Sequence, residues 1–265
     1  MPETSSREYL TLEPLATRID IHQRYSEVPD DVEAAVLAAI GPIDGKDLLD
    51  VGCGTGAFLR NLAGRGHAGK LVGVDTSPAA VANLSSVDRV RVQLADAANL
   101  PFGAGVFDLV TARHMLYHVG DVDRALQEAR RVLAPGGIFV AVVNHEDTMP
   151  YLGQLVADGV STRVAELPAL PRMWIHTGNL PGMMRDVFGE VEIHRYDNAL
   201  VFDRPEPLVA YAVSLLGFYG IGPDSPLRSG IAETIESEAR AWFREPGRIW
   251  RDPKGYVVCV GRIDP

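Results

Sequence analysis

The chain has 265 residues, 46% hydrophobic and 23% charged, ordinary for a soluble globular protein and long enough for one large α/β domain plus an addition. A formal net charge of −10 repels a phosphate backbone and argues against bulk RNA or DNA as a partner. No apolar run approaches the ~18 residues of a membrane span, Met1 to Arg18 lacks the apolar core of a signal peptide, and two cysteines give no disulfide framework, so a reducing cytoplasm is expected.

Neither an internal repeat nor a low-complexity tract is visible. The chain starts polar, gives Asp20-Ile-His-Gln-Arg-Tyr25, and then predicts a helix over Asp30 to Ile40 with Val32, Val36, Leu37 and Ile40. Next comes the most informative stretch. Leu48, Leu49 and Val51 read as a short buried strand that breaks into Gly52, Gly54 and Gly56, and Phe58, Leu59, Leu62 and Ala63 open a helical pattern at once. Strand, glycine turn and helix let a backbone approach a ligand closely beside unpaired helix N–H groups. Gly52, Gly54 and Ala57 also satisfy the G-x-G-x-x-G/A dinucleotide pattern, so the glycines alone do not choose a ligand. Cys53, inside the turn, reads as a packing residue, since no general base can be put beside it.

A second apolar strand, Lys70 to Asp75, ends in an acid 23 residues after Gly52, near the spacing at which a carboxylate reaches ribose hydroxyls. Thr76-Ser-Pro opens a helix with Ser77 as N-cap and Pro78 at the first helical position. A third strand, Arg89 to Leu94, ends in Ala95-Asp96-Ala97 before Asn99-Leu-Pro-Phe102. A fourth, Phe107 to Ala112, leads into Arg113-His-Met-Leu-Tyr-His-Val-Gly-Asp121. An amphipathic helix, Val122 to Leu133, stops at Ala134-Pro-Gly-Gly137, and a fifth strand covers Ile138 to Val143.

Asp50, two residues before Gly52, gives the form D-x-G-x-G-x-G. With Asp75, Asp96 and the string Phe107-Asp-Leu-Val … Leu133-Ala-Pro-Gly-Gly in this order, residues 30 to 144 resemble the class I S-adenosylmethionine (SAM) methyltransferases. The resemblance implies a Rossmann-like, doubly wound seven-stranded sheet of order 3-2-1-4-5-7-6 with its last strand antiparallel. It implies SAM as cofactor. Asp50 would help place the amino group, and the backbone of Gly52, Gly54 and Gly56 would face the methionine and ribose. Asp75, with Thr76, would take the ribose hydroxyls, and Asp96 with Ala97 the adenine edge. Arg113 and His118 would wall the cofactor. Tyr25 would reach the cofactor carboxylate from N-terminal lid helices (residues 1–41), surface packing being the alternative for that residue.

Beyond the fifth strand the resemblance weakens. An irregular segment with a short helix, Leu152 to Val164, precedes a helix Asn179 to Phe188 and a strand Glu190 to Phe202. Helices Pro205 to Phe218 and Ser229 to Phe243 then interrupt the last strand pair, which closes with Lys254 to Ile263. The core is read as residues 42–204 and 254–265. Residues 205–253 are read as a helical cap over the substrate, with a structural appendage or a homodimer surface as the alternative.

Ligands of open α/β sheets bind beyond the carboxyl ends of the strands. That singles out His114, Tyr117 and His118 after strand four and His145 after strand five. His114 is the first choice for a base or substrate contact, His145 the second, with Tyr117 beside them. His114 and His118 are four apart and could share a helix face, but no third metal ligand is identifiable, so no metal is expected. Trp174, Tyr151, Phe218, Tyr219 and Trp242 are candidate aromatic walls, core packing being the alternative. Three functions fit: a SAM-dependent methyltransferase acting on a small molecule such as a natural-product intermediate; a SAM-binding protein of the same fold doing cyclisation or decarboxylation; and a nicotinamide oxidoreductase. Asp50, Asp96 and the missing second nucleotide-binding half speak against the third.

Overall fold

The computed structural model describes residues 13–167 and 175–265. Residues 1–12 of the expected lid, and Trp174, lie outside the described residues. The chain divides into two compact units. The larger holds Asp31–Glu146, Met173–Tyr196 and Tyr256–Pro265; the second holds the described parts of Met1–Asp30, Asp147–Arg172 and Asp197–Gly255.

In chain order the elements are α1 (Glu13–Tyr25), α2 (Val32–Ile40), β1 (Leu48–Val51), α3 (Ala57–Gly64), β2 (Leu71–Asp75), α4 (Pro78–Leu84), β3 (Val90–Leu94) and β4 (Phe107–Arg113). Then follow α5 (Val122–Val132), β5 (Leu133–Asn144), α6 (Pro150–Ser161), α7 (Leu180–Phe188), β6 (Val191–Phe202), α8 (Pro205–Ser214), α9 (Arg228–Trp242) and β7 (Trp250–Arg262). One seven-stranded sheet has the order β3-β2-β1-β4-β5-β7-β6. β1 is parallel to β2 and β4, β2 to β3, and β4 to β5, whereas β7 runs antiparallel to β5 from Ile138↔Arg262 to Asn144↔Tyr256. The expected order and the antiparallel last strand are both present.

The central strands β1, β4, β5 and β7 are buried on both faces, which is why they read as near-continuous apolar runs. Alternate residues divide between two cores. Leu49, Val51, Phe139, Ala141 and Val143 join Leu126, Ala129 and Val132 of α5 and Met184 and Phe188 of α7. Leu48, Ile138, Val140 and Val142 join Val36 and Ile40 of α2 and Phe58, Leu59 and Leu62 of α3. Local chemistry starts the helices, at Ser77 as the sequence predicts and at Asp31 and Asp121 as the structure adds. Asp31 caps α2 through the Ala34 N–H (2.9 Å), Ser77 caps α4 through the Ala80 N–H (3.3 Å), and Asp121 caps α5 through the Arg124 N–H (2.9 Å).

Several boundaries differ from the sequence reading. The Ala134-Pro-Gly-Gly137 segment is not a loop between helix and strand. α5 ends at Val132 and the strand begins directly at Leu133, which pairs with Phe107. The Gly137 carbonyl accepts from Ile263, so the last residues of the chain supply the ladder partners that sequence proximity could not reveal. The helix expected to Phe218 stops at Ser214 and tightens into a 3₁₀ turn, Leu216–Tyr219. The helix expected over Leu152 to Val164 runs Pro150–Ser161, and β7 starts at Trp250.

The second unit has its own apolar core. Leu152, Val156 and Val160 of α6 meet Leu208, Tyr211 and Ala212 of α8, Ile231, Ile235 and Ala239 of α9, and Ile21 of α1. Gly159 lets α6 approach α9 closely, since a Cβ there would lie 2.6 Å from Ile235 Cγ1. One polar chain is buried in it. Lys254, 6% exposed, is ion-paired with Asp30 and donates to His22 Nδ1 (2.9 Å), and His22 Nε2 lies 2.9 Å from the Tyr211 hydroxyl. Burial pushes the Lys254 ammonium below its ordinary value, with the Asp30 carboxylate acting the other way.

Candidate cofactor site

The site grows from the end of β1. The Gly52 and Cys53 N–H groups donate to the Val74 carbonyl (2.8 and 3.1 Å), and the Gly56 N–H donates back to Cys53 (2.9 Å). That tight turn needs left-handed backbone at Gly52, Gly54 and Gly56, with φ of +67°, +54° and +73°. Space closes it further. A Cβ on Gly52 would lie 2.7 Å from Met115, and one on Gly56 would lie 2.1 Å from Leu84 Cδ2. Gly56 caps α3 with no side-chain hydrogen bond, so the first-turn N–H groups of that helix have no side-chain acceptor. Cys53 is buried, and burial raises its thiol far above the usual range, which suits the packing role.

Carboxylates frame the turn. Asp75 accepts from the Gly54 N–H (2.8 Å) with one oxygen and from the Ser77 N–H (2.9 Å) with the other, which fixes its plane. Asp50 is 1% exposed. It accepts from the Thr111 hydroxyl (2.7 Å) and from Arg113 Nη2 (2.9 Å), with Nε at 3.4 Å. The Arg113 guanidinium lies over the Phe58 ring at 4.3 Å. Asp96 is exposed and accepts from the Ala98 N–H (2.9 Å), while Ala97 beside it is buried. Thr76 is exposed at the end of β2.

Past β4, His114 adopts φ of +51°, uncommon for a residue with a side chain, and its N–H donates to Val142 (2.9 Å). Its ring meets Tyr256 edge-on at 5.8 Å, and Tyr256 stacks on Tyr196 at 5.0 Å. Tyr117 and His118 form an edge-on pair at 4.5 Å, with His118 in a 3₁₀ turn, Leu116–His118. Residues 114–118 are therefore not an α-helix, and the two histidines do not share a helix face. Among the described residues no group of three or more His, Cys, Asp or Glu could hold a metal ion. His145 follows β5 and is half-buried.

The larger unit thus brings Asp50, Gly52, Gly54, Gly56, Asp75 and Arg113 together at the ends of β1, β2 and β4, with Asp96 and Ala97 after β3 and His114 and His145 after β4 and β5. Tyr25 belongs to the second unit, where its hydroxyl accepts from Arg204 (2.8 Å) and its ring packs on Phe202. Of the aromatic candidates, Tyr151 is 59% exposed, and Phe218, Tyr219 and Trp242 pack in the second unit's core. Sequence reasoning missed Thr111, Phe58 and Tyr256. Thr111 is the register partner of Asp50 across β1 and β4, a pairing that no local sequence signal gives.

Residues 49–141 match a family described as a methyltransferase domain. The demethylmenaquinone methyltransferase of Staphylococcus saprophyticus is 38% identical over 115 residues, 42% of this chain and 49% of that protein. The chain spans about half the length of that relative. Among solved structures, the 4+2 cyclase SpnF superposes with a TM-score of 0.60 at 21% identity, over 98% of this chain and 94% of that one. Phosphoethanolamine N-methyltransferase 2 of Haemonchus contortus, solved with S-adenosylhomocysteine, gives 0.57 at 16% identity over 98% and 60%. Residues 49–141 of this chain are thus similar to a methyltransferase domain, for which SAM is the cofactor. The residues fit that group: a left-handed turn with no side chain at Gly52, Gly54 or Gly56, one carboxylate fixed beside it by two N–H groups, and a carboxylate–guanidinium pair at its base.

Proposed function

We propose that the protein transfers a methyl group from SAM to a small-molecule acceptor, such as a natural-product intermediate. The observation that carries this reading is the left-handed glycine turn whose Gly54 N–H is tied to Asp75, with the buried Asp50–Arg113 pair at its root. Bound there, SAM would supply a methyl group activated by its sulfonium. Asp75 would hold the ribose hydroxyls, which suits a ribose without phosphate, and Asp96 and the Ala97 backbone would hold the adenine edge. Asp50 would act on the methionine end through Arg113, which it and Phe58 hold in place to face the cofactor carboxylate.

Positioning the acceptor in line and excluding water supply most of the acceleration in this reading. His114, held in strained backbone against Tyr256, takes the acceptor's proton where the acceptor is a hydroxyl or carbon acid, with His145 second and Tyr117 orienting. The test is incubation with SAM and a panel of acceptors, reading S-adenosylhomocysteine release. The likeness to SpnF over nearly the whole chain favours one second reading, cyclisation with the cofactor retained. Product formation without S-adenosylhomocysteine would select it.

A further inference from the structure

The loop that carries Asp96 is held from behind by two residues that nothing above assigns. Glu128 and Arg131 lie on α5, three residues apart on one helix face. Glu128 is 2% exposed although charged. Its Oε2 accepts from the Leu100 N–H (2.9 Å), and it receives Arg131 through two bonds of 2.7 Å, Nε to Oε1 and Nη2 to Oε2. Arg131 reaches on to the same loop and donates to the Phe102 carbonyl (2.7 Å) and the Leu100 carbonyl (3.0 Å). Three backbone groups of residues 100–102 are thus satisfied by one ion pair.

Ala97 and Leu100 of this loop are buried against Ala112, Leu116, Ala125 and Ala129 of the larger unit's core. Apolar contact sets the depth of the loop, and the charge-assisted hydrogen bonds add the direction that apolar contact lacks. The other end is tied by the Ala95 N–H to the Asp75 carbonyl (3.0 Å) and by the turn in which the Asn99 N–H reaches the Asp96 carbonyl (3.0 Å). Glu128 is buried, while the part-exposed Arg131 and, at 3.3 Å, Arg124 meet it from the solvent side, so its charge is compensated and its carboxylate held in one place.

We propose that Glu128 and Arg131 are positioning residues for the adenine of the cofactor: by clamping residues 100–102 they set where the Asp96 carboxylate and the Ala97 backbone meet the adenine edge. The inference rests on the SAM reading above. It acts through the loop, so it alters discrimination at the adenine amino group and leaves the ribose and methionine contacts as they are.

The experiment titrates the full chain by calorimetry with S-adenosylhomocysteine and with S-inosylhomocysteine, which carries a carbonyl in place of the amino group. Wild type should prefer the first by about tenfold or more, the effect of one charge-assisted hydrogen bond. Glu128→Gln should weaken S-adenosylhomocysteine by about tenfold, move S-inosylhomocysteine by less than about threefold, and so collapse the preference. Arg131→Lys, which keeps the charge but cannot span two carbonyls, should do the same and serves if Glu128→Gln does not fold. Equal weakening of both ligands, or unchanged preference, would mean a structural role only and overturns the inference. Failure of wild type to bind either ligand would instead overturn the SAM reading itself.

Discussion

Gly56→Ala tests the glycine turn with a single methyl group. Alanine at φ of +73° has left-handed backbone, which costs about 1–2 kcal/mol. Its Cβ would also sit 2.1, 2.4 and 2.6 Å from Cδ2, Cγ and Cδ1 of Leu84, a fully buried side chain with no room to retreat. Overpacking of this kind costs about 1–3 kcal/mol more. The sum, about 2–5 kcal/mol, is a large part of the stability of an ordinary domain. Urea denaturation should show it as a lower midpoint with little change in slope. S-adenosylhomocysteine should bind more weakly as well, because relief of the overlap moves the turn that faces it. Gly153→Ala is the control. It lies inside α6 with nothing within 4 Å of its would-be Cβ, and should stabilise by up to about 1 kcal/mol. A Gly56→Ala protein within about 0.5 kcal/mol of wild type, with unchanged ligand affinity, would refute the reasoning.

Other expectations follow from the same geometry. Asp75→Ala should weaken SAM by about 1–3 kcal/mol, roughly 5- to 150-fold in Kd by calorimetry, with unchanged affinity meaning that the ribose is held elsewhere. Lys254→Met leaves Asp30 charged and unpaired in the second unit and should cost about 3–5 kcal/mol by denaturation; a loss under about 1 kcal/mol would show that the chain through His22 is not a structural tie. Arg131 holds the Glu128 carboxyl below its ordinary value, so its contribution is present above the usual glutamate range and lost as pH falls through the lowered value. Thermal scans from about pH 6 to about pH 3 should therefore show a shallower acid limb in Glu128→Gln than in wild type. His114→Ala should lower turnover by about 100-fold at near-constant SAM affinity if it removes a proton, and His114→Asn should rescue little; restoration by Asn would reduce it to a positioning residue.

The parallel half of the fold was legible because each signal was local. Strand, glycine turn and helix lie within residues 48–64, and Ser77 caps the helix that starts beside it. What the sequence hid was carried by long-range partners. The start of β5 at Leu133 depends on Phe107 and on Ile263, and the true end of α8 depends on packing in the second unit's core. The candidate residues of the site could be picked out in the sequence, but their mutual arrangement could not. Asp50 reads as a ligand for an amino group, yet its carboxylate is already committed to Thr111 and Arg113, which only the β1–β4 register brings opposite it. The turn at His114 was invisible for a related reason, since a positive φ at a residue with a side chain leaves no mark on composition.

The central claim is that the glycine turn with Asp50 and Asp75 holds SAM rather than a dinucleotide. Calorimetric titration of the full chain with SAM, S-adenosylhomocysteine and NADH tests it most directly. The account predicts saturable binding of SAM and S-adenosylhomocysteine at one site per chain, weakened by Asp75→Ala, and no heat from NADH. Binding of NADH with none of either adenosyl ligand would contradict it.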